Sequence, residues 1–192
     1  FNGDPRGSYS MVKNGLMPVL YHPQIDSIPE VKAIDLLYYC ISAQEMADLS
    51  GPFTYFDDKA NDANPSVYNT VEDIYKNIVQ NLDTIVACLR YHETRPNWYK
   101  ERVEDILMSF NETNRDLISN YSGMTTYIKL ANSLKLRMAM HIVKVDPALA
   151  KKWAEEAVSD GVVESIEEQS GLYPMVSGFS HPMVTIIDSW GD

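Results

Sequence analysis

The chain has 192 residues, 45% of them hydrophobic, which suffices for a real core in one domain or one and a part. Its 27 acidic against 16 basic residues leave a net charge of −11, with a pI near 4.7. Such a surface excludes nucleic-acid backbone binding, which needs clustered lysine and arginine, and disfavours electrostatic docking to an anionic leaflet.

No apolar run approaches the ~20 residues of a membrane-spanning helix. The longest, around Leu36 to Ile41, is short. The chain starts at Phe1 rather than Met, without a basic segment followed by an apolar one, and F-N-G-D-P-R-G-S reads as loop. The expectation is a mature or excised piece of a longer protein, with any export signal or lipid anchor upstream.

Residues 1 to 28 carry Gly3, Pro5, Gly7, Gly15, Pro18 and Pro23, and read as loop with one short helical turn. Ser27 and Glu30 then have capping-box spacing, with Pro29 in the first turn of a helix that runs to about Leu49. Its middle is nearly all apolar, so it is expected to be buried, and Ser50-Gly51-Pro52 ends it. Phe53 to Pro65 is three aromatics followed by acids, Asn and Pro: a surface loop.

Thr70, with Asp73 at the box position, caps the next helix to Leu89. Ile74, Ile78, Leu82, Ile85 and Leu89 form its apolar stripe, with Glu72, Lys76, Gln80 and Asp83 elsewhere. Residues 91 to 126 are least legible, with a short helix expected around Tyr99 to Phe110. Cys40 and Cys88 fall at apolar helix positions and read as buried free thiols rather than a disulfide.

The most informative stretch runs from Tyr127 to Asp146. Leu130, Leu134, Met138 and Ile142 recur every four residues, with Val145 beyond, and Leu136, Met140 and Val143 mark a second stripe. A helix apolar on more than one side is expected between neighbours. Asp146-Pro147 stops it and starts another: the residue before proline leaves the helical region, and Asp146 caps the next helix with Pro147 at its first position. That partner runs to Asp160, ended by Gly161, with Ala150, Trp153, Ala154, Ala157 and Val158 as its buried side. The tail, 162 to 192, reads as irregular with one strand near Val184 to Ile187.

Two helix pairs, about 30–89 and 127–160, therefore predict an all-α fold of degenerate tetratricopeptide-like hairpins with long irregular loops. The interval between equivalent helices is near one hundred residues, not the ~34 of a regular array.

Four stretches, in order, resemble the SusD/RagB family of outer-membrane nutrient-binding lipoproteins. K-L-A-N-S-L-K-L-R-M-A-M-H-I, Lys129 to Ile142, is similar to that family's aromatic-x-K-x-A-N-S-L-K-L-R-x-A segment, with Tyr127 where Trp is common. Asn64 to Asp83 resembles its extended turn into an I-Y-x-x-I-x-x-x-L helix, and Glu155 to Val163 its A-V-x-x-G-V close. Met46 to Phe56 is similar to its aromatic-rich G-D-x-P-Y turn, but here Pro52 follows Gly51 directly and Tyr55 comes three later.

The resemblance implies that residues 1–192 are a single helical region, the N-terminal to middle portion of a longer chain. It implies a cell-surface, lipid-anchored, non-catalytic protein that binds oligosaccharides for a SusC-like TonB-dependent outer-membrane transporter. The anchor would lie outside this chain, and no cofactor or metal is implied. No ligand-contact motif is shared across the family, so no site residue transfers by matching.

The residues themselves add candidates. Within the central helix Asn132, Lys135 and Arg137 are expected to hold neighbouring segments, and His141 to be a satisfied edge histidine. Sugar binding needs flat aromatic faces for CH surfaces beside polar groups for hydroxyls. Phe53, Tyr55 and Phe56 with Asp57 and Asn61 offer that mixture, as do Asn97, Trp98 and Tyr99 with Arg95. The first set is expected to pack under its own helix end; Trp190 lacks context. Tyr55, Asp57, Arg95, Trp98 and Tyr99 are the ligand-binding candidates.

Catalysis finds little. A glycosidase needs two acids ~5–10 Å apart facing one cleft, whereas Asp57-Asp58, Glu155-Glu156 and Glu167-Glu168 are adjacent pairs that diverge on a helix. The four histidines lack metal-ligand spacing, and N-E-T at Asn111 and N-Y-S at Asn120 are bare glycosylation sequons. The alternative to nutrient binding is a tetratricopeptide-like module for protein or peptide.

Overall fold

The computed structural model describes residues 5–56, 67–113, 123–165 and 168. Among them are six α-helices: α1 (Pro5–Leu20), α2 (Pro29–Ser50), α3 (Val71–His92), α4 (Asn97–Thr113), α5 (Met124–Ile142) and α6 (Pro147–Asp160). A 3-10 turn, Ile25–Ser27, precedes α2, and one isolated antiparallel bridge joins Phe53 to Asn69. The close packings run in series, α1 on α2, α2 on α3, α3 on α5 and α5 on α6. The result is an all-α row of tetratricopeptide-like hairpins with α4 standing outside it. No helix of the described residues is long and apolar enough to cross a membrane.

Helix α3 sits at the centre of the row, and its pattern explains why. Ile74, Ile78, Leu82, Ile85 and Leu89 are all buried, as the stripe requires, and so are Tyr75, Val79 and Val86 beside them. A buried face this wide meets α2 on one side and α5 on the other. Thr70 caps α3 as expected, its Oγ1 accepting from the Asp73 amide at 3.1 Å. Helix α2 answers with Leu37, Cys40 and Ala43, fully buried. Burial pushes the Cys40 thiol up to about 12, and both cysteines are free. At its end Gly51 takes φ 73°, the left-handed region where a Cβ is strained.

The corner between α5 and α6 is built as read from Asp-Pro. Asp146 Oδ1 accepts from the Leu149 amide at 2.9 Å, and Pro147 occupies the first turn. Trp153, Ala150 and Ala157 are the buried side of α6. Small residues there let α6 come close to α5.

Four expectations are corrected. Residues 5–20 form a 16-residue helix rather than loop. Pro18 lies in its last turn, where the missing N–H costs one bond, and burial outweighs weak propensity. Leu16 and Met17 pack on the core, and the buried Tyr9 places its hydroxyl 2.7 Å from that of Tyr39.

Second, Ser27 does not form a capping box with Glu30. Ile28 is the N-cap of α2, without a side-chain cap, and Glu30 turns into the interior.

Third, the second stripe of α5 is not buried, Met140 and Val143 being exposed and Leu136 only partly covered, and Val145, expected to extend the first stripe, is 85% exposed in the turn after Ile142. The buried side of α5 uses Tyr127, Ala131, Asn132, Lys135 and Ala139 instead. Fourth, Val158 is exposed, because α6 has one neighbour in the row and buries a single narrow stripe.

The strand expected near Val184 to Ile187, and Trp190, lie outside the described residues.

Candidate functional site

The polar residues of α5 hold the scaffold. Asn132 Nδ2 donates to the Gly161 carbonyl at 2.9 Å, and Ser133 Oγ accepts from the Val163 amide at 2.9 Å. Lys129 pairs with Glu168, and Arg137 donates to Gln44 on α2. Lys135 is buried and reaches Asp83 on α3 at 2.8 Å and Glu156 on α6 at 2.7 Å. Burial works against its charge, but the bonds and charges of Asp83 and Glu156 outweigh that and hold it above the ordinary lysine value. Residues 129 to 137 thus pin α5 to α2, α3, α6 and the segment after α6.

His141, at the far end of α5, lies 3.1 Å from Asp48 Oδ2 and 3.0 Å from the Tyr75 hydroxyl, which also bonds Asp48. It is a satisfied edge histidine. These three line a groove of about 620 Å³ between the two hairpins, together with Leu149 and Trp153 of α6.

The aromatic candidates separate into two places. Phe53 and Tyr55 are buried, but Tyr55 packs on the middle of α2 and Phe53 on Tyr9 of α1, not simply under the helix end. Tyr55 is only 5% exposed, its ring stacked on Tyr39 with centroids 5.8 Å apart and 19° between planes. Its hydroxyl donates to Asn77 Oδ1 at 3.0 Å, and burial raises it well above the usual phenol range. Asn69, which sequence reasoning passed over, clamps this turn: its Oδ1 accepts from the amides of Tyr55 at 2.9 Å and Phe56 at 3.0 Å. Asp57 and Asn61 lie outside the described residues.

The second place is the corner where α3 ends and α4 begins. The Thr94 and Arg95 amides close a tight turn onto Tyr91 and His92, and Tyr99 opens α4 with its amide on Pro96. This turn gathers Tyr91, Arg95, Trp98 and Tyr99. The Arg95 guanidinium lies 5.1 Å from the Tyr91 ring centre and 4.6 Å from that of Tyr99, a cation in reach of two rings. Trp98 stands edge to face against Tyr99, centroids 5.9 Å apart, and is 70% exposed. Tyr91 is exposed as well.

Beneath the surface the Tyr99 hydroxyl donates to Glu30 Oε2 at 2.9 Å, while Glu30 Oε1 lies 2.9 Å from His92 Nδ1. Burial, then the Glu30 bond and charge, raise the Tyr99 hydroxyl above its ordinary value. His92 Nε2 has no partner among the described residues, so its proton is best placed on Nδ1, aimed at Glu30.

Of the five candidates, the structure brings Arg95, Trp98 and Tyr99 together. Tyr55 is elsewhere: it stacks on Tyr39, nine residues and about 13 Å along α2 from Glu30, which Tyr99 touches. Sequence reasoning missed Tyr91 and Glu30. The i,i+4 spacing of Tyr91 and Arg95 was available as a signal; the role of Glu30 was hidden by its plausibility as a cap. The corner offers an exposed indole and a guanidinium resting near two rings, its Nε buried and without a partner among the described residues. Such a surface stacks on a flat apolar ring and donates to hydroxyls or carbonyls beside it.

The described fold is a row of helical hairpins with a small aromatic surface outside it. The family model for SusD-like proteins, described as Susd and RagB outer membrane lipoprotein, matches residues 7–192, and the chain belongs to that family. Among solved structures, it is similar to a chitin-binding SusD homolog from Flavobacterium johnsoniae, with 29% identity and a TM-score of 0.73, covering 96% of this chain and 36% of that one. It is also similar to a SusD homolog from Bacteroides vulgatus, with 26% identity and a TM-score of 0.69, covering 95% and 33%. A SusD-like protein from Bacteroides thetaiotaomicron, at 24% identity, TM-score 0.62 and coverage of 88% and 34%, shares the fold. The chain spans about a third of the length of these relatives. No curated protein matches it.

Proposed function

We propose that residues 1–192 form one helical region of a longer, lipid-anchored cell-surface protein that binds oligosaccharides without cleaving them. The bound glycan passes to a SusC-like TonB-dependent outer-membrane transporter. The observation that carries the binding step is the α3–α4 corner, where Trp98 is exposed beside Tyr99 and Arg95 lies near the rings of Tyr91 and Tyr99. Indole and phenol faces stack on the CH side of a pyranose, and guanidinium N–H groups donate to its hydroxyls. Membership of the family and likeness to a chitin-binding homolog support the same ligand class.

The test is calorimetry of the protein against chito-oligosaccharides and a wider glycan panel, with Trp98→Ala beside it. Loss of a stacking aromatic should weaken binding at least about tenfold, on the order of 1.4 kcal/mol. Binding that survives the substitution unchanged would remove the corner from the site. Product release from any glycan on incubation would remove the non-catalytic reading.

A second reading, a peptide-binding module, is favoured by the groove between the hairpins, lined by Trp153 and Leu149 with Asp48, Tyr75 and His141. Retention of peptides with no glycan bound on an array would favour it.

A further inference from the structure

The corner platform is borne by α4, the helix outside the row. Among the described residues, α4 makes none of the close helix packings; Val103 is buried in the core, with Tyr99 and Leu107 packed more loosely. Besides these and the partly exposed Lys100–Glu93 ion pair, a buried link ties α4 to α3 and α2. Glu30 is 1% exposed and His92 fully buried, and together with the Tyr99 hydroxyl they join the start of α2, the end of α3 and the start of α4.

A buried carboxylate is stable only where its lone pairs are answered, so its two donors are held in fixed directions. One is the last residue of α3 and the other the third residue of α4, with Trp98 next to it. Arg95, in the intervening turn, follows because its guanidinium rests on the Tyr99 ring.

We propose that Glu30 is a positioning residue: through His92 and Tyr99 it sets the orientation of Trp98 and Arg95 toward an oligosaccharide it does not touch. This rests on the platform reading above. It accounts for why Glu30, placed in the first turn of α2 where an acid ordinarily serves the helix N-terminus, is drawn inside instead.

The full chain is labelled with 5-fluorotryptophan, and the Trp98 fluorine resonance is identified by its absence in Trp98→Phe. Tyr99→Phe removes only the α4 end of the link and is expected to fold. Glu30→Ala removes both ends, and Glu30→Gln can accept from His92 and donate to the Tyr99 oxygen. Tyr99→Phe and Glu30→Ala should shift the Trp98 resonance while leaving that of Trp153 in place. They should also weaken chitotetraose binding by about five- to tenfold, and Glu30→Gln should restore most of both readouts.

A Trp98 resonance unmoved in Tyr99→Phe and Glu30→Ala would overturn the positioning role. So would affinity within twofold of the native chain in those variants, when Trp98→Ala has lost it. Unchanged affinity in Trp98→Ala itself would overturn the platform, and the positioning role with it.

Discussion

Helix α5 and the α3–α4 corner both mix polar with apolar side chains, and they use the mixture in opposite directions. On α5 every named polar residue is answered by a neighbouring segment: Asn132 by the Gly161 carbonyl, Ser133 by the Val163 amide, Lys135 by two carboxylates, Arg137 by Gln44. At the corner the polar groups inside, Glu30 and His92, answer each other, and the aromatic groups above them are left facing out. A helix packed between neighbours has partners within reach for each donor. A turn at the edge of the row has partners on one side only. Exposed aromatic side chains are therefore found at such edges, Tyr91 and Trp98 at the corner and Tyr21 and Tyr68 near α1, rather than along α5.

This difference predicts which substitutions cost stability and which cost binding. The largest loss belongs to the centre of the row. Ile78→Ala, at a fully buried position of α3, should destabilise by about 3 kcal/mol in urea unfolding, with glycan affinity kept in the folded fraction. Loss of affinity at low urea would show that scaffold and corner are not separable. Next is Asn132→Ala, which strips the Gly161 carbonyl of its side-chain donor and should cost about 1–2 kcal/mol. A change under ~0.3 kcal/mol would mean that the segment after α6 does not depend on α5.

Asp35 sharpens the contrast through pH. Burial alone pushes its carboxyl from 3.8 to about 6, and its Oδ2 has no partner among the described residues. Its folded value is raised, so the group favours folding fully below about 3.8, and that contribution fades as pH rises through about 6. Asp35→Asn should then raise the melting temperature at pH 7 to 8, with the gain vanishing below about pH 4. The group is only half-buried, so the gain should stay near or below about 1 kcal/mol after solvent screening. A gain of equal size at pH 3.5 would contradict this origin.

The smallest effect on stability belongs to the corner. Trp98→Ala should change unfolding free energy by no more than ~0.5 kcal/mol, because the side chain is mostly exposed, although it carries the largest predicted effect on binding. A loss of 2 kcal/mol would place Trp98 in the scaffold instead.

The scaffold was legible where chemistry is local. Apolar spacing drew α2, α3 and α5, since a stripe at helical period buries one face whatever lies across from it. The caps at Thr70 and Asp146 were readable because donor and acceptor lie within three residues of each other. Arg95, Trp98 and Tyr99 were readable as a group because one short turn gathers them.

What lay beyond reach depended on partners distant in sequence. Helix α1 forms despite Gly15 and Pro18 because Tyr9, Leu16 and Met17 find α2 and the turn after it. Met140 and Val145 look like core by spacing, yet no described neighbour covers them. Glu30 has the spacing of a cap and was recruited across 62 residues by His92 and across 69 by Tyr99.

The sequence by itself therefore determined α2, α3, α5 and α6, the caps at Thr70 and Asp146 and the family pattern, because each is written within a few residues. Only the tertiary structure decided which polar groups face inward and at what angle the aromatic corner stands. Burial and long-range hydrogen bonds are properties of assembled neighbours, not of any one segment.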